Sequence, residues 1–139
     1  MPDRSGTGVG SRREDRETAL GILYAAEHAD HDLITELENQ ALTPEKFTED
    51  LVRGVAQYQD EIDELINKFS QGWHIDRMPA VDRSLLRMAV YEITHRPDVP
   101  TQAILTDVVE LASDYSTEKS SRFVNGVISG IAQEKRQES

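Results

Sequence analysis

The chain has 139 residues, no cysteine, 37% apolar residues and a formal charge of -11. Length and apolar content predict one domain with one modest core, and the lack of thiols excludes disulfides and thiolate metal sites. No apolar run approaches the roughly 20 residues that cross a bilayer, and residues 1–10 hold no hydrophobic signal-peptide core, so a soluble cytoplasmic protein with no membrane contact is expected.

Residues 1–10 contain three glycines and no apolar periodicity, and are expected to form a flexible N-terminal tail before a single helical domain over 11–139. The first helix is predicted over 11–29, with Ser11 as N-cap and Leu20, Leu23 and Tyr24 on one face beside Ile22, Ala26 and Ala29. A short helix fits residues 31–40 through Leu33, Ile34 and Leu37. Thr43 followed by Pro44 reads as a cap and first helical residue. From there Phe47, Leu51, Val55, Tyr58, Ile62, Leu65, Ile66 and Phe69 step by three or four, as one long helix or two successive ones.

Gln71, Gly72 and Trp73 mark a break, and a helix is predicted over 81–95. Its Leu85, Leu86, Met88, Ala89 and Ile93 form the apolar face, with Asp82, Arg83, Arg87 and Glu92 expected largely on the opposite, charged side. Pro97 and Pro100 end this helix and open the next, over 100–115, with Ala103, Ile104, Val108, Leu111, Ala112 and Tyr115 on its core face. After a turn at Ser116, Thr117 and Glu118, a last helix runs to about 135 with Phe123, Val124, Val127, Ile128 and Ile131 inward. No strand alternation occurs. The predicted class is all-α, a compact bundle of five to seven helices built as two halves on a shared core.

The negative charge argues against a polyanionic partner, but its distribution moderates that conclusion. Residues 27–64 carry twelve acidic and two basic side chains, whereas the flanking segments are close to balance. The acidic segment reads as a solvated helix face, since it lacks the ligand spacing of a calcium loop. His28 and His31 with Asp32 read as solvated side chains in preference to a metal site. With no phosphate-binding glycine loop, no zinc helix motif and no cysteine nucleophile, the chain is expected to be neither an enzyme nor a cofactor or metal carrier.

Two segments have the chemistry of an RNA contact. Arg12, Arg13 and Arg16 fall within about one helical turn and could hold adjacent phosphates, although pairing with Glu14, Asp15 and Glu17 is the plainer reading of that run. Lys119, Ser120, Arg122 and Phe123 put cations beside an aromatic ring, the combination that holds a phosphate and stacks a base. Spacing with Val127 and Ile131 favours burial of Phe123. Trp73 reads as a core anchor or inter-helix plug in preference to a base-stacking platform.

The string Ala80-Val81-Asp82-Arg83-Ser84-Leu85-Leu86-Arg87-Met88-Ala89-Val90-Tyr91-Glu92-Ile93, with Asp98-Val99-Pro100 and Arg122-Phe123-Val124-Asn125-Gly126-Val127-Ile128, closely resembles the NusB family of bacterial transcription antitermination factors. Arg12-Arg13, Arg16-Glu17, Ala19 and Leu23-Tyr24 also fit, and the likeness covers about 125 residues. The resemblance implies a non-catalytic helical protein that binds single-stranded boxA-like RNA of nascent ribosomal transcripts together with the ribosomal protein NusE. Other members of the antitermination complex and RNA polymerase would be engaged indirectly. Carried over by position, RNA contacts fall on Arg12, Arg13, Arg16, Arg122 and Phe123 with Lys119 and Ser120 nearby, and NusE contacts on Tyr24 and Asp82. Asn125 and Gly126 look structural, with Gly126 allowing close helix approach.

Two other readings compete: a protein-only helical adaptor that uses the acidic segment, and a stand-alone relative of the NusB-like RNA-binding module of ribosomal RNA methyltransferases. Monomer and homodimer are both compatible with the sequence.

Overall fold

The computed structural model describes residues 9–136, which form six α-helices and one short 3-10 turn at Ile75–Arg77. The helices are α1 (Val9–Ala29), α2 (Leu33–Glu38), α3 (Lys46–Phe69), α4 (Ala80–His95), α5 (Thr101–Tyr115) and α6 (Glu118–Arg136). Most of the tail expected over residues 1–10 lies outside the described residues. Val9 and Gly10 already belong to α1, so Ser11 sits inside the helix instead of capping it.

The other helix starts show how local chemistry sets the ends. Asp32 caps α2 by accepting the Thr35 amide hydrogen at 2.8 Å, which satisfies one of the orphan donors of the first turn. α3 starts at Lys46, two residues beyond Pro44, with Glu45 in the cap position and no side-chain cap hydrogen bond. The Thr43 and Pro44 signal therefore marks the approach to the helix and not its first turn. α3 consists of two successive helical stretches joined across a kink at Tyr58, whose ring stacks on His95 of α4 with centroids 3.8 Å apart. It ends where Gln71 and Gly72 take positive φ values of 55° and 88°, the left-handed region that only glycine enters without a Cβ penalty.

α1, α2 and α3 pack together, α4, α5 and α6 do the same, and α4 also lies against α1 and α3. This position explains the composition of α4. Leu85, Leu86, Met88, Ala89 and Val90 are all buried because the helix meets neighbours on most of its circumference. Two of the four residues expected on its charged side, Asp82 and Glu92, are buried as well.

Gly54 permits the α3–α4 approach, since a Cβ there would lie 2.2 Å from the Tyr91 ring. Gly126 does not play the part expected of it: nothing lies within 4 Å of where its Cβ would be. Close approach in α6 falls on Gly130 instead, against Phe69. The Arg136 guanidinium donates to the carbonyls of Glu92, Ile93, Arg96 and Val99, tying the end of α6 to the last turn of α4 and the loop that follows it. Among the described residues no helix is long and apolar enough to cross a membrane, and no cluster of three His, Asp or Glu side chains is arranged to hold a metal ion.

Candidate nucleic-acid interface

The basic run at the head of α1 turns inward. Arg16 has 0% of its surface exposed. Its Nε and Nη2 donate to the two carboxylate oxygens of Glu92 at 2.8 Å each, and its Nη1 donates to Asp107 at 2.6 Å. This is a fork matched to one carboxylate with a third bond to another, joining α1 to α4 and α5. Burial pushes the carboxyls of Glu92 and Asp107 above the ordinary range, against the opposing pull of Arg16. Arg16 thus cannot reach a phosphate while this network stands.

The neighbouring arginines are also engaged. Arg13 reaches across to Glu110 and Asp114 of α5, the latter at 2.9 Å. Arg12 lies over the Phe47 ring, 4.4 Å from its centroid, with a buried Nε that has no hydrogen-bond partner. Arg16 and Arg96 approach the same ring at 5.2 Å each, so one aromatic ring draws three guanidinium groups by cation–π attraction. Arg96 is itself held by Asp50 at 2.5 Å and Asp98 at 3.0 Å.

The head of α6 faces outward. Thr117 caps the helix, its hydroxyl oxygen accepting the Ser120 amide hydrogen at 2.9 Å, while the Ser120 hydroxyl joins those of Ser116 and Thr117 in a local network. Lys119 is exposed and makes no ion pair among the described residues. The Arg122 side chain is 73% exposed, and among the described residues its one ion-pair partner is Glu118 at 3.8 Å. Phe123, four residues from Lys119 and so on the same face, is half-buried against the core. Trp73 meets it edge to face, with centroids 4.9 Å apart and planes at 63°. Trp73 is 39% exposed, which makes it an inter-helix contact with one side open and not a core anchor.

The two residues expected to meet a protein partner part company. Tyr24 is 41% exposed, stacks on His28 and lines a groove of about 350 Å³ with Glu17, Leu20, Gly21, Val81 and Tyr115. Asp82 is completely buried in the first turn of α4, and neither of its carboxylate oxygens has a hydrogen-bond partner. A contact between Asp82 and a partner requires its covering side chains to move. The helix dipole partly offsets the cost of burying that group.

Sequence reasoning did not anticipate Phe47, Glu92 and Asp107 as the seat of the α1 arginines. A signal existed: Glu92 and Asp107 interrupt the apolar stripes of α4 and α5, and an acid on a core-facing position needs a cation.

Comparisons with known proteins agree with this architecture. The model of the NusB family matches residues 13–133. The transcription antitermination protein NusB of Symbiobacterium thermophilum is 43% identical over 136 residues, covering 87% of this chain and 88% of that one. The structure of NusB from T. maritima superposes with a TM-score of 0.79 at 33% identity, covering 88% of this chain and 91% of that one. A chain from a crystal structure of antitermination factors NusB and NusE in complex with dsRNA gives 0.74 at 28% identity, with 88% and 96% coverage. Non-enzymatic RNA-binding regulators make up this family. With the family model spanning most of the chain and the helical bundle superposing on its solved members, the chain belongs to the NusB family of transcription antitermination factors.

Proposed function

We propose that this chain binds boxA-type single-stranded RNA of nascent ribosomal transcripts jointly with NusE, and that the head of α6 is its principal RNA contact. The observation that carries this reading is the contrast in charge availability. Arg13, Arg16, Arg83, Arg87 and Arg96 are held by carboxylates, whereas Lys119 and Arg122 stand outward beside a half-exposed aromatic pair. Cations that already face a carboxylate add little phosphate attraction, whereas this patch sets two outward cations beside aromatic rings within a net charge of -11. A neighbour in structure that is described as a complex of NusB, NusE and dsRNA supports the same assignment of partners.

NusE is assigned to the groove between α1, α4 and α5, where Tyr24 and Tyr115 offer amphipathic rings around an apolar floor. Arg12 and Arg13 border the opposite end of α1 and contribute to RNA binding only to the extent that their present contacts open.

The test is binding of a labelled boxA-like RNA at two salt concentrations, with and without NusE, to the wild-type chain and to Phe123→Ala and Tyr24→Ala. With two phosphates neutralised, log affinity should fall with log salt at a slope of about -1.4. Phe123→Ala should weaken RNA binding in both conditions, and Tyr24→Ala only the increment that NusE adds. Capture of NusE without RNA binding at any salt would instead favour the protein-only adaptor.

A further inference from the structure

We propose that Trp73 is an RNA-stacking residue, forming with Phe123 a two-ring seat for one unpaired base whose flanking phosphates are taken by Lys119 and Arg122. The inference rests on the RNA-binding reading above and adds to it a residue on a separate element, the turn after α3.

Three observations carry it. First, Trp73 is the largest apolar ring in the chain and the most costly to leave in water, yet 39% of it is exposed at the one place where its neighbour, Phe123, is also only half-buried. Second, the rings meet at 63° with centroids 4.9 Å apart, so two differently oriented aromatic surfaces adjoin. A planar base laid on the open face of one ring meets the edge of the other, and both contacts are favourable for aromatic groups. Third, the turn that carries the indole is pinned at its backbone. The Ser70 hydroxyl donates to the Trp73 carbonyl at 2.7 Å and the Trp73 amide donates to the Ser70 carbonyl at 3.2 Å, locking the turn that carries the indole.

The charges complete the argument for a nucleotide over an apolar peptide. Lys119 lies one helical turn before Phe123 and Arg122 directly precedes it, and neither is neutralised by a carboxylate closer than 3.8 Å. An apolar peptide would leave Lys119 without a counter-charge and Arg122 with only the exposed Glu118 of its own helix, whereas the phosphates on either side of a stacked base satisfy both.

Trp73 is the only tryptophan in the chain, so its fluorescence reports on the seat directly. The full chain is titrated with boxA-like single-stranded RNA and with the same strand annealed to its complement, alone at low salt and with NusE present. Trp73→Phe supplies the background signal. Saturable quenching by the single strand, at the concentration where labelled RNA binds and absent with the duplex, is the expected result. Trp73→Leu, which keeps an apolar contact with Phe123 but removes the stacking face, should weaken binding about 5- to 150-fold, and Trp73→Phe much less. Circular dichroism on both variants verifies the fold. If Phe123→Ala loses RNA while Trp73 fluorescence is unmoved and Trp73→Leu binds as wild type, Trp73 is a packing residue only and the RNA reading survives. If the wild-type chain with NusE binds no single-stranded RNA at low salt, the RNA reading fails and this proposal fails with it.

Discussion

The heads of α1 and α6 each place basic side chains next to an aromatic ring, Arg12 and Arg16 with Phe47 in one case, Lys119 and Arg122 with Phe123 in the other. At α1 the ring is buried, and the helix runs between α3, α4 and α5, whose Glu92, Asp107, Glu110 and Asp114 claim the guanidinium groups. At α6 the first turn lies at the edge of the bundle, and among the described residues the only acid within 4 Å of Arg122 is the exposed Glu118 on its own helix. The same residue types therefore act as internal fastening in one place and as available positive charge in the other. The difference comes from which acids the fold brings near them.

The most severe way to break this comparison is Arg16→Ala. It strands two carboxylates in the core and should cost about 3–5 kcal/mol in urea unfolding, with RNA binding lost only as the fold is lost. Retained stability together with lost RNA affinity would reverse the roles of the two heads. Arg13→Ala is the intermediate case, because its pairs with Glu110 and Asp114 are partly exposed. A loss of about 0.5–1 kcal/mol is expected, shrinking in high salt.

Arg122→Ala sharpens the contrast from the other side. Stability should stay within about 0.5 kcal/mol of wild type while the salt slope of RNA binding becomes shallower by about 0.7. A destabilisation comparable to that of Arg16→Ala would show the head of α6 to be fastening as well.

The smallest effect belongs to a third helix head, that of α2. The Thr35 amide holds the Asp32 carboxyl below its ordinary value. A depressed folded-state pKa means that the cap contributes fully above the ordinary carboxylate range, and that its contribution is lost as the pH falls through the lowered value. The Thr35 amide resonance should follow that titration, and Asp32→Asn should abolish it without altering α4 or α6.

Much of the fold was legible because its determinants lie close together along the chain. Apolar spacing located every helix, and the strings at residues 80–93 and 122–128 identified the family before any contact was known. Boundaries suffered where one local signal was trusted, as with Ser11 and the Thr43–Pro44 pair. The candidate site was legible in part. Lys119, Arg122 and Phe123 lie together at an outward helix head, whereas Arg16 and Asp82 are buried, and Trp73 is more open than its composition suggests. Gly126 showed a similar limit: a glycine in a helix signals close approach only if another helix passes there, and here it passes at Gly130.

By itself the sequence determined the helical class, the order of the helices and the family, since periodicity, caps and turns act over about four residues. Only the tertiary structure decided which arginines remain available to RNA. The partners of Arg16 lie 76 and 91 residues away along the chain, and a guanidinium looks the same in sequence whether a phosphate or a buried carboxylate will meet it.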